Sequence, residues 1–210
     1  MHIPLSLLYM HDNTIRKNLK LYSKIFFKIL FFVSACINMV AKREGIIMAN
    51  IINIRIDERL IHGQVAAFWT NSLNITRLMV IDDIAAADEI QKMALKMACP
   101  STVKLSILNV NRAAEKLNNP ELYVGERLFV VVRGVETLKK MVDLNVKIET
   151  VTVGNMSNKI GSKRVYHTVC VTPKDIETFN ELSHKGIKFI AQMVPSDQAE
   201  DFMELLSKIS

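Results

Sequence analysis

Arg55-Ile56-Asp57-Glu58-Arg59-Leu60-Ile61-His62-Gly63-Gln64-Val65 places one imidazole beside two guanidiniums, two carboxylates and a glycine. A neutral imidazole is a good nucleophile near pH 7. Attack on a phosphoryl group would give a phosphohistidine, a transfer that needs positioning and charge neutralisation more than acid–base machinery. Arg59 offers a planar donor fork for phosphate oxygens. Gly63 allows close backbone approach. A helix starting there would add free N–H groups, with Gln64 in its first turn. Asp57 could orient the imidazole or pair with Arg59. The competing reading is structural, because a lone histidine after a strand is more often packed or exposed than catalytic. Arg55 lies inside the strand pattern and reads equally as a sheet or interface residue. Trp69 reads as core. His167 and His184 stand alone at a strand end and a helix end.

The elements around this stretch follow from hydrophobic patterning. Continuous Val/Ile/Leu runs suit parallel strands covered on both faces. They predict strands over 51–56, 78–81, 103–108, 128–132, 150–153, 167–171 and 188–191. Amphipathic segments predict helices over 63–72, 85–98, 111–117, 135–144, 174–183 and 198–209. Pro173 and Pro195 precede the last two, and Asn145 and Gly186 sit where helices end. This alternation predicts one α/β domain, with an open, doubly wound, mostly parallel sheet and helices on both faces. Ligands of such sheets sit beyond the carboxyl ends of the strands. The Asp57–Gly63 loop is there, and the irregular piece 154–164 reads as a second loop at the same crevice, led by Gly154, Asn155 and Met156.

The 210 residues carry a formal charge of +6, which suggests nucleic acid or membrane at first glance. Residues 1–47, however, hold seven of the 27 basic and two of the 21 acidic residues, leaving a net charge of +1 on residues 48–210. A nucleic-acid partner is therefore not expected. The uncharged run from Ile29 to Ala41 is shorter than the roughly 20 residues of a spanning helix. Lys42-Arg43-Glu44-Gly45 can be encoded by a purine-rich run two codons before Met48, the layout of a bacterial ribosome-binding site. Residues 1–47 are thus expected to be translated leader, or a disordered tail, before a domain over 48–210. Cys36, Cys99 and Cys170 form no C-x-x-C pair, which fits reduced thiols in a cytosol, Cys99 and Cys170 as buried small hydrophobes. No dinucleotide, Walker, Ser/His/Asp or zinc pattern is present. Asp82-Asp83 could bind Mg²⁺ but reads more readily as a helix start, so no metal is expected.

The string R-I-D-E-R-L-I-H-G-Q-V, with Trp69 seven positions past the histidine, resembles the IIB component of the mannose/fructose/sorbose family of the bacterial phosphoenolpyruvate:sugar phosphotransferase system. The likeness continues colinearly through N-N-P at 118–120, G-E-R at 125–127, V-K-I at 146–148, V-T-V-G-N-M at 151–156 and D-I-E-T-F at 175–179. It covers about residues 50–209.

The resemblance implies a cytoplasmic phosphoryl carrier at the membrane permease, without cofactor. A IIA phosphohistidine would charge His62, through Nδ1 as in the family. The group would then pass to a sugar entering through the membrane subunits IIC and IID. Arg59 matches the motif arginine assigned to the phosphoryl group, and a homodimer is compatible with the family. Mannose-type relatives carry arginine where Gln91 stands. Gln91, V-G-N-M and Val194-Pro195 lean toward an N-acetylgalactosamine-like sugar, and they leave open which residue assists the final transfer. The alternative is a regulatory protein of the same fold that uses phosphorylation of His62 as a signal.

Overall fold

A computed structural model describes residues 50–119 and 121–209 of the chain. Residues 1–47, the expected leader, lie outside the described residues, as does Cys36.

From residue 50 the chain alternates strand and helix. Strand β1 (Asn50–Asp57) leads through the histidine loop into α1 (Gly63–Ser72). There follow β2 (Arg77–Ile81), α2 (Asp83–Ala87), α3 (Glu89–Ala98), β3 (Lys104–Leu108), α4 (Val110–Leu117), β4 (Arg127–Val132) and α5 (Val135–Asp143). The last part holds β5 (Thr150–Asn155), β6 (Lys163–Tyr166), β7 (Val169–Val171), α6 (Pro173–His184), β8 (Lys188–Ala191), β9 (Glu200–Asp201) and α7 (Phe202–Ser207). Seven strands form one sheet in the order β3-β2-β4-β1-β5-β8-β9. All pairings in it are parallel except β8 with β9.

The continuous apolar runs explain this sheet. In β4, Leu128, Val130 and Val132 join the core on one face, and Phe129 and Val131 join the core on the other. A strand buried on both faces needs no polar alternation. Each such side chain contributes about 1.5–3 kcal/mol by burial. One face is covered by α4, α5, α6 and α7, through Ala113, Leu138, Phe179 and Phe202. The other is covered by α1, α2 and α3, through Trp69, Ala85 and Leu95. The expected open, doubly wound sheet with helices on both faces is the observed one.

Four expectations change in detail. The helix expected over 85–98 is two helices, broken at Asp88, whose carboxylate accepts from the Ile90 and Gln91 amides and so starts α3 afresh. The strand expected over 167–171 pairs antiparallel with β6 in a separate two-stranded sheet. The helix expected over 198–209 starts only at Phe202, capped by Asp201, because residues 200–201 pair with β8. Pro195 therefore sits in a turn before β9 rather than at a helix start. Pro173 does open α6, with a capping box between Thr172 and Asp175. Asn145 and Gly186 both take positive φ (63° and 93°) just past α5 and α6. Among the described residues, no helix is long and apolar enough to cross a membrane.

Candidate functional site

Strand β1 lies between β4 and β5 and delivers its chain to α1 on one face, whereas β4 delivers its chain to α5 on the other. Loops that part in opposite directions leave a crevice at the carboxyl ends of the strands. The 57–62 loop occupies that position. Ile54 and Ile56 point to the α4–α7 side, so the alternation of the strand turns Arg55 and Asp57 toward α1.

Arg55 is 1% exposed. Its Nη2 lies 3.0 Å from Asp57 Oδ2, its Nη1 donates to the Gln192 carbonyl at 3.0 Å, and its guanidinium lies 5.5 Å from the Trp69 ring centre. Burial pushes the Arg55 pKa down, and the adjacent Asp57 carboxylate works against that. Removing one partner of such a buried pair costs about 3–5 kcal/mol. Gly154 belongs to this packing: a Cβ built there would fall inside the Arg55 guanidinium. The Trp69 indole donates to the Met193 carbonyl at 3.0 Å and stacks on Phe129.

Asp57 is also buried, and it holds a second arginine. Arg59 Nε and Nη2 each donate to it at 3.0 Å, and the Arg59 amide donates at 3.2 Å. Of the two roles open to Asp57 in the sequence, the hydrogen bonds show the pairing with Arg59. Two of the five guanidinium N–H groups of Arg59 are spent on it, and the rest remain. Arg59 is a third exposed, so those donors reach the surface.

The loop is pinned by its apolar residues. Leu60 and Ile61 are buried in the α1-side core. Leu60 takes a left-handed conformation (φ 61°), which costs about 1–2 kcal/mol. Burying its side chain offsets that by about 1.5–3 kcal/mol. With these two turned inward, Arg59 and His62 face out. His62 is exposed and is the N-cap of α1, with no side-chain capping bond. Its imidazole makes no hydrogen bond or ion pair among the described residues. The first turn of α1 carries no acidic residue, so its unpaired N–H groups and positive dipole end are not offset locally. Gly63 has φ 24°, and nothing lies within 4 Å of a Cβ built on it. Gln64 is the second residue of α1, and its side chain lies outside the described part of the structure.

Two further struts hold the loop, and neither was found in the sequence. The Glu58 carboxylate accepts from the Ser157 amide at 2.7 Å and from the Ser157 hydroxyl, and pairs with Lys159 at 3.1 Å. Burial works to raise the Glu58 carboxyl, but the Ser157 donors and Lys159 outweigh it and hold it below its ordinary value. The Glu58 amide donates to the Asn155 carbonyl at 3.0 Å, so the two expected loops do meet. On the other side Arg133, just past β4, donates to the Glu58 carbonyl at 3.1 Å and grips the buried Asp82 at 2.8 and 3.1 Å. Hydrogen bonding to Asp82 raises the Arg133 pKa.

The remaining expectations sort by burial. Gly154 and Asn155 are the last residues of β5 rather than loop. Met156 is 4% exposed and packs in the core instead of lining the crevice. Asp82 caps α2, and Asp83 accepts from the Val110 amide and pairs with Lys140. Among the described residues no three His, Cys, Asp or Glu side chains group to hold a metal. His184 ends α6, and His167 lies against Tyr166. Cys170 is buried, whereas Cys99 is only half-buried. Gln91 donates to Asp88 at 3.1 Å within the cap of α3.

The family model "PTS system sorbose subfamily IIB component" matches residues 51–210. The chain is 38% identical over 155 residues to the mannose-specific EIIAB component of Escherichia coli K12, covering 74% of this chain and 48% of that protein. It thus spans about half the length of those relatives. It is 33% identical over 163 residues to the fructose-specific EIIB component of Bacillus subtilis, covering 78% and 99%. The solved IIBSor domain of the sorbose permease from Klebsiella pneumoniae superposes with a TM-score of 0.72 at 29% identity, covering 77% of this chain and 98% of that one. The N-acetylgalactosamine-specific IIB component 1 from Escherichia coli gives 0.67 at 28%, covering 72% and 99%.

Proposed function

This chain belongs to the sorbose subfamily of IIB components of the phosphotransferase system, and from that premise we propose that it carries a phosphoryl group on His62. The observation that carries the proposal is the setting of that residue. An exposed, unbonded imidazole caps a helix whose first turn lacks acidic residues, three positions after an arginine with donors to spare. An imidazole kept for structure would be expected to spend its nitrogens on neighbours.

Two displacements make up the reaction. In the first, the P–N bond of a IIA phosphohistidine breaks as a P–N bond forms to His62, and the leaving imidazole keeps the electron pair. In the second, a sugar hydroxyl oxygen bonds to phosphorus, the P–N bond to His62 breaks, and the hydroxyl proton ends on the released imidazole, restoring neutral His62. Arg59 neutralises charge on the phosphoryl oxygens in both. Asp57 serves by fixing the plane of the Arg59 fork, and Gly63, with the free amides of the first turn, leaves room for the group. The donor is a IIA protein or domain, and the acceptor is a sugar delivered by membrane subunits IIC and IID. The carrier works in the cytoplasm against the permease.

Relatives are named for mannose, fructose, sorbose and N-acetylgalactosamine. Gln91, Asn155 and Val194-Pro195 favour an amino sugar of the last kind, although the higher identity is to the mannose-specific protein. Incubation with phosphoenolpyruvate, the general phosphotransferase proteins and a cognate IIA tests the carrier role. Acid-labile label is expected on the chain and is expected to vanish in His62→Ala. Label that survives the substitution removes His62 from the reaction. Adding membranes with IIC and IID then tests delivery, with N-acetylgalactosamine expected to accept faster than mannose.

A further inference from the structure

Helix α3 is amphipathic the wrong way round. Leu95 is its one buried residue, yet Ile90, Met93 and Met97 are 82%, 65% and 83% exposed. With exposed Ala94 they occupy positions i, i+3, i+4 and i+7, the spacing of a continuous stripe. Such a stripe usually faces a core, and here it faces solvent. Ile84 on the neighbouring α2 is 62% exposed as well. Apolar surface gathered in this way marks an interaction site.

The charges beside the stripe indicate what covers it. Glu89 and Lys96 are seven residues apart, share one flank of α3 and are exposed, and within the helix Glu89 also pairs with Lys92 at 2.7 Å. The opposite flank carries Ala94, which permits close approach and brings no charge. If two copies of α3 packed antiparallel about a two-fold axis near Lys92 and Met93, Ile90 of one copy would meet Met93 of the other. Glu89 of each would then lie beside Lys96 of the second copy, and the two pairs would be equivalent, as a two-fold interface requires. The stripe can thus pair with itself about a two-fold axis, with Glu89 exchanging its partner within the helix for Lys96 of the second copy. We propose that α3 is a dimerisation surface whose occupant is α3 of a second copy of this chain.

The seam is one ten-residue helix, which places the dimer among small, exchanging interfaces. Sedimentation of the full chain from about 1 µM to about 1 mM reads it directly, the range over which such interfaces dissociate. Wild type is expected to pass from monomer to dimer. Met93→Glu, which sets like charges at the axis, is expected to stay monomeric throughout. Glu89→Lys alone is expected to weaken the dimer about tenfold, and Glu89→Lys with Lys96→Glu to restore it to within about threefold of wild type. These positions are exposed, so folding is expected to survive, and circular dichroism checks it. A monomer at all concentrations overturns the proposal, as does a dimer indifferent to Met93→Glu or a double swap that fails to restore it. Binding of the stripe to a membrane subunit without self-association also overturns it.

Discussion

At the scale of single residues, the site turns on one buried carboxylate shared by two arginines. Asp57 neutralises half of the positive charge around it and fixes Arg59 in one plane. A point charge cannot do what that fork does. Arg59→Lys is therefore expected to slow charging of the chain by IIA at least about tenfold, or about 1.4 kcal/mol in the barrier. Quenched-flow labelling measures it, and an unchanged rate would deny Arg59 the phosphoryl oxygens. The sequence made His62, Arg59 and Asp57 visible because they are adjacent in the chain. Arg133 was invisible because its contacts with Asp82 and Glu58 span 51 and 75 residues and no local motif announces them. Gly154 was visible as a glycine, but its reason was not. It is small because Arg55 lies against it, a long-range fact.

At the scale of elements, the apolar strands and the helices were legible from periodicity, and the misses were of two kinds. The break at Asp88 had a readable signal, since Asp88 followed three residues later by Gln91 is a helix-start pattern. Strands β6 and β9 had none. They are four and two residues long, largely exposed, and exist only because a neighbour offers a backbone edge. The amino end of the sheet shows another cross-element device. Arg77 of β2 bonds Glu126, just before β4, and Ser106 of β3, while Lys104 pairs with Glu126 at 3.1 Å. Hydrogen bonding by Arg77 outweighs burial and lowers the Glu126 carboxyl from 4.5 to about 2. A carboxyl held below its unfolded value stabilises the fold above about pH 4.5, and that stabilisation is lost as the pH falls toward about 2. Glu126→Gln is accordingly expected to lower the denaturant midpoint at pH 7 and to match wild type near pH 2. A gap that persists at the acid end would mean that the latch does not work through ionisation.

At the scale of the whole molecule, the sheet is layered in protection as well as in space. β1 is flanked by β4 and β5 and covered on both faces, whereas β3 is an edge and β9 is two residues long. Hydrogen exchange followed by mass spectrometry is expected to show β1, β2, β4 and β5 opening only with global unfolding, and β6, β7 and β9 exchanging earlier. Early exchange in β1 would contradict a site built on a protected interior strand. The fold class could be read from the sequence because two-sided burial writes itself into Val, Ile and Leu runs. The separate hairpin could not, since nothing in 163–171 says which sheet it joins. Trp69 lies on the first helix behind the histidine loop. It is the only tryptophan in the chain, it lies beside the Arg55 guanidinium, and it is tethered to the Met193 carbonyl. Its fluorescence is therefore a built-in optical channel, free of background from any other indole. If His62 is loaded as proposed, rapid mixing can follow that loading in the native chain with no label attached.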